Sequence, residues 1–134
     1  MRKWFAYFVL LSGIYDLLLA GLFLFTSPII SILVAYPITP LSGALLQIIG
    51  AFLLTFGIAL VVSSRDLDRL LVIPAVNGIL RLLFFIILVY YIIVWSLPMA
   101  LLVFGIIDAI IGCVFIVFIL AIKDYSFRVI VPKR

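Results

Sequence analysis

Four long apolar runs decide what this chain can fold into. They extend from about Trp4 to Phe25, Leu41 to Val62, Leu70 to Trp95 and Pro98 to Ile122. A helix rising 1.5 Å per residue needs ~20 residues to cross ~30 Å of hydrocarbon, and each run is long enough. Lipid offers the backbone no hydrogen-bond partner, so a spanning segment is a helix or part of a closed barrel. The apolar/polar alternation of barrel strands is missing. The expected fold is therefore all-α, a four-transmembrane-helix bundle with short loops, forming one integral membrane domain over residues 1–134. Composition agrees: 69% of residues are hydrophobic and 10% charged, whereas a soluble domain carries about 25% charged residues.

The connections fit this division. Thr26 to Pro40 is proline-rich and uncharged, and Ser27-Pro28 resembles a helix start with proline at the first helical position. A short interfacial helix over Ile29 to Tyr36 is expected between spans one and two. Arg65-Asp66-Leu67-Asp68-Arg69 reads as a solvated turn, and Ser96-Leu97-Pro98 as a tight break between the last two spans.

Basic residues give an orientation. Arg2 and Lys3 precede the first span, Arg65 and Arg69 separate the second from the third, and Lys123, Arg128, Lys133 and Arg134 follow the fourth. With four spans these all fall on one side, so the positive-inside rule places both termini in the cytoplasm, in the plasma membrane of a prokaryote. The net charge of +4 is thus a topology signal. Nucleic acid is not an expected partner, because the basic residues sit at helix ends and form no motif. Arg2-Lys3 ahead of an apolar run resembles a signal peptide, but Asp16 interrupts the run and no A-x-A site follows, so the first span is expected to stay uncleaved.

Chemistry is narrowed by what the sequence lacks. With no histidine, histidine-ligated haem or zinc and Ser-His or Cys-His nucleophiles are excluded. Cys113 is the single cysteine, so no internal disulfide or CxxC motif exists. No catalytic residue, metal or cofactor is expected.

Three ionisable residues break the apolar runs: Asp16 in the first, Arg81 in the third and Asp108 in the fourth. Each costs about 2.5–3.5 kcal/mol at mid-bilayer on insertion scales. Counted from the cytoplasmic ends of their spans, they lie at depths of roughly 18, 17 and 21 Å. Arginine stays charged and its fork can serve two carboxylates. An Asp16–Arg81–Asp108 cluster between the first, third and fourth helices is therefore expected. Asn77 stands four residues before Arg81 on the same helical face. Gln47 is a further candidate in the second span, sharing a face with Gly43 and Gly50, and Tyr15 adjoins Asp16. Gly13, Asp16 and Ala20 repeat the spacing of Gly105, Asp108 and Gly112. Small residues at such positions let helices approach closely in lipid. Trp4, Phe5, Tyr7, Tyr90, Tyr91 and Trp95 read as aromatic belts, Cys113 as a packing residue, and Pro74 as the site of a mild kink.

Four spans in a chain of this length, with Gln47-Ile48-Ile49-Gly50-Ala51 leading to Gly57, Ser63-Ser64-Arg65-Asp66 at the turn, a basic residue in the third span and an acid in the fourth, resemble small DoxX-like membrane proteins. That resemblance implies an accessory role beside a quinone-linked complex and carries no catalytic residue over. An acid in the first of four short helices also resembles small multidrug resistance transporters, which use glutamate where Asp16 stands. Arg81 and Asp108 depart from that pattern, since a central arginine repels cationic drugs.

These readings make the expected function that of a non-catalytic membrane component: an accessory or assembly subunit beside other membrane subunits, or a homo-oligomer, with membrane lipids around it. The charge cluster would then fix helix order and register. The alternatives are a small proton- or ion-coupled transporter using Asp16 and Asp108, and a binder of quinone or lipid between helices with Tyr15, Asn77 and Arg81 as polar contacts.

Overall fold

A computed structural model describes residues 2–25, 32, 37 and 39–121 of the chain. It is all-helical among those residues: α1 (Arg2–Phe25), α2 (Pro40–Ser63), the short α3 (Leu67–Leu70), α4 (Val72–Trp95) and α5 (Ala100–Ala121). The long four have the length and hydropathy to cross a membrane. The chain is an integral membrane protein with a four-helix bundle. The interfacial helix expected over Ile29 to Tyr36 falls, apart from Ile32, outside the described residues, as does the basic tail from Lys123.

Local chemistry sets the helix ends. Thr39 caps α2 reciprocally: its Oγ1 accepts from the Ser42 N–H at 3.2 Å, and Ser42 Oγ accepts from the Thr39 N–H at 2.8 Å. Pro40 follows at the first position, where an N–H would have no intrahelical partner. At the other end of α2, Ser63 and Ser64 hydroxyls donate back to the carbonyls of Leu60 and Val61 at 2.9 and 2.7 Å. The turn beyond is solvated as expected, with an exposed Arg69–Asp66 pair at 3.6 Å, and it holds α3 within it. The α4 start at Val72 places Pro74 in the first turn, so its missing N–H costs no helix hydrogen bond and requires no kink. Ser96, left-handed at φ 51°, ends α4.

Packing builds two antiparallel hairpins, α1 with α2 and α4 with α5. Glycines mark their closest approach. A Cβ on Gly13 would stand 2.9 Å from the Gly57 carbonyl oxygen, and one on Gly112 would stand 2.9 Å from that of Gly78. Lipid supplies no hydrophobic drive between helices, so such backbone contact carries much of the association. The hairpins join at the end that holds the 64–71 turn. There Phe5, Val9, Leu60 and Phe115 are fully buried, with Leu67, Leu71 and Ile73 packed against them. Phe5 stacks on Phe118 with centroids 4.9 Å apart, and Phe115 meets Phe5 and Phe8 edge-on. Phe5 is therefore core, not belt, whereas Trp4, Tyr7, Tyr90, Tyr91 and Trp95 are exposed at the helix ends.

Candidate functional site

The charged layer lies next to these glycine crossings. Asp16 sits one turn beyond Gly13 in α1, and Asp108 sits one turn before Gly112 in the antiparallel α5. Both acids thus stand on the same side of their crossings, toward the bundle end that holds Ser96. The small residues flanking each acid, Gly13 and Ala20 or Gly105 and Gly112, are all buried. The spacing shared by the two helices therefore has a spatial counterpart, inverted between them.

Arg81 reaches from α4 into the middle of this layer. Its Nη2 donates to Asp16 Oδ1, its Nη1 to Asp108 Oδ1, and its Nε to Asn77 Oδ1 at 2.6 Å. Asn77 lies one turn earlier on the same helix and fixes the guanidinium plane. The Arg81 side chain is 6% exposed, that of Asp16 0% and that of Asp108 14%. The guanidinium carbon lies 5.9 Å from the Tyr15 ring centroid, a cation–π contact from the α1 side. Four of the candidate residues, Asp16, Asn77, Asp108 and Tyr15, are thus assembled around a fifth, Arg81. Gln47 is not among them. It is exposed on α2 and makes no hydrogen bond among the described residues.

Two fully buried polar atoms in this layer are left over. Tyr15 Oη and Asp16 Oδ2 are buried and have no hydrogen-bond partner among the described residues. A buried acceptor left unmet costs about 1–3 kcal/mol, more when charged.

Asp16, Asn77, Arg81 and Asp108 also form the polar wall of a cavity of about 240 Å³ between the four long helices. Its other walls are apolar, with phenylalanine from every helix: Phe23 of α1, Phe52 and Phe56 of α2, Phe84 of α4 and Phe104 of α5. An apolar void of ~150 Å³ holds a benzene ring, so this volume suits a ring with a short chain. Four lining side chains, Ile49, Phe52, Leu80 and Phe84, are exposed on the outside of the bundle as well. The mouth of the cavity therefore lies along the seam between α2 and α4, facing the acyl chains.

The phenylalanine wall was missed in reading the sequence, although a signal exists. Phe84 lies three residues after Arg81, Phe104 four before Asp108 and Phe23 seven after Asp16, all on the faces that carry the charges. Among the described residues, no group of acidic or cysteine side chains is arranged to hold a metal ion. Comparison with family models, with characterised proteins and with solved structures finds no match.

Proposed function

We propose that this protein is a non-catalytic membrane protein that binds a small membrane-soluble molecule, lipid or quinone in character, between its four helices. The carrying observation is the phenylalanine-walled cavity that ends on the Asp16–Arg81–Asp108 layer and opens toward lipid at the α2–α4 seam. Pockets of this kind, apolar with a few convergent polar groups, are the usual form of small-molecule sites. The lining also favours binding over ion-coupled transport, because the walls beyond the charged layer offer an ion no polar ligands. The test is solvent extraction of the purified protein. Wild type should yield a hydrophobic molecule near one per chain, and Leu53→Trp, which fills the cavity, should lose it. Equal yields from both, or none from wild type, would overturn the reading.

A second reading, self-association as a homo-oligomer or subunit, has one observation in its favour. Gln47 presents an amide at a lipid-facing position of α2. An amide donates and accepts, so two copies meeting at Gln47 satisfy each other, and Gln47→Leu should then weaken cross-linked dimers in membranes. The same proposal places the 64–71 turn, with Arg65 and Arg69, on the cytoplasmic side of a prokaryotic plasma membrane. Reporter fusions at either terminus should read cytoplasmic.

A further inference from the structure

We infer that the molecule held in this cavity carries a neutral hydroxyl head, phenolic or alcoholic, that donates a hydrogen bond to Asp16 Oδ2. The inference rests on the binding reading above and adds the chemistry of the head group.

The polar wall selects by elimination. Arg81 already donates from Nε, Nη1 and Nη2 to Asn77, Asp108 and Asp16. Asp16 Oδ1 and Asp108 Oδ1 already accept from it. Among the fully buried side-chain atoms of this wall, the one left unmet is an acceptor, Asp16 Oδ2. A ketone, ester or ether offers lone pairs alone and leaves that oxygen unpaired. An ammonium could donate to it, but would sit against the guanidinium that shares the same carboxylate. A carboxylate or phosphate would face both Asp16 and Asp108. A hydroxyl donates without bringing charge, and O–H···O⁻ bonds are among the strong ones. Its own lone pairs can accept from the guanidinium hydrogens not already used, since arginine has five.

The rest of the ligand follows from the walls. Phe23, Phe52, Phe56, Phe84 and Phe104 surround its body, which is therefore a ring or compact hydrocarbon. Asp16 has no accessible surface in the present structure. The head must displace a neighbouring lining side chain, such as Leu19, as it seats.

Titration calorimetry of the intact protein in detergent separates the possibilities with three probes of one shape: para-heptylphenol, its methyl ether and para-heptylbenzylamine. The phenol should bind at least about tenfold more tightly than either, and Leu53→Trp should abolish all binding. Asp16→Asn keeps an oxygen toward Arg81 and turns the other position into a donor, from which phenol and ether oxygens can both accept, so the phenol's advantage over the ether should vanish. If ether or amine matches the phenol in wild type while Leu53→Trp still abolishes binding, the head-group inference fails and the cavity reading stands. If no probe binds, both fail. Should Asp16→Asn not fold, the wild-type phenol-to-ether ratio decides alone.

Discussion

The two ends of this bundle are built from the same residue type and pack in opposite ways. Toward the 64–71 turn, Phe5, Phe8, Phe115 and Phe118 interlock around Val9 and Leu60 and leave no surface on the central side chains. Toward Ser96, Phe23, Phe52, Phe56, Phe84 and Phe104 stand around a cavity. The charged layer is the boundary. On one side of it the glycine crossings draw each hairpin together and the turn ties the hairpins to each other. On the other side each hairpin stays close, with Gly50 against Leu24 and Gly105 against Leu88, but the two hairpins part around the cavity. Phenylalanine content therefore does not decide whether a membrane bundle is closed. How the two hairpins meet does.

The largest expected effect tests the boundary itself. Arg81→Leu strands two buried carboxylates, and breaking a buried pair costs about 3–5 kcal/mol. It should collapse thermal unfolding temperature in detergent and open both ends to proteolysis. Replacing the whole layer, Asp16→Leu with Arg81→Met and Asp108→Leu, removes the stranded charges and should recover much of that loss, because apolar replacement of a complete buried network is often neutral. Recovery of stability without probe binding would show that the layer serves the cavity more than the fold. An Arg81→Leu protein as stable as wild type would mean the layer does not organise the bundle.

Much of this was legible in the sequence because lipid imposes few solutions. Run length alone gave four helices, and the depth of Asp16, Arg81 and Asp108 along antiparallel spans gave their meeting, since an unpaired charge in hydrocarbon costs too much to leave alone. Asn77 followed from the four-residue helical repeat. Gln47 shows where the reasoning stops: an amide can be met by another chain as well as within its own, so polarity in a span does not say which way it points. The cavity was illegible for a related reason. On a helix that is apolar all round, no hydrophobic face marks the inside, and Phe52 and Leu18 look alike until the glycine crossings fix the rotation of each helix.

The next effect compares one truncation at each end. Phe→Ala in a soluble core costs about 3–5 kcal/mol, part of it transfer from water. Unfolding within lipid exposes no side chain to water, so for Phe115→Ala only the packing part remains, about 2 kcal/mol. Phe56→Ala enlarges a space already open toward lipid and should cost less than about 1 kcal/mol. Unfolding in graded denaturing detergent measures both. Equal losses would mean that the cavity wall is packed as tightly as the core.

The smallest effect tests the cause of the difference. An alanine Cβ at Gly13 would meet the Gly57 carbonyl oxygen at 2.9 Å and the Val61 nitrogen at 3.0 Å. Backbone cannot swing away as a side chain can, so α1 and α2 must separate. Gly13→Ala should destabilise by about 1–2 kcal/mol, in the range of overpacked cores. At Gly21, two turns along the same helix and level with the cavity, the added Cβ meets nothing within 4 Å. Gly21→Ala should be neutral or stabilising by a few tenths of a kcal/mol through lost backbone freedom. The contrast also predicts probe binding. Prying the hairpin apart at Gly13 moves Asp16, one turn away, and should weaken phenol binding, whereas Gly21→Ala should leave it unchanged. If both alanines weaken binding alike, helix approach at the crossing is not what holds the cavity in shape.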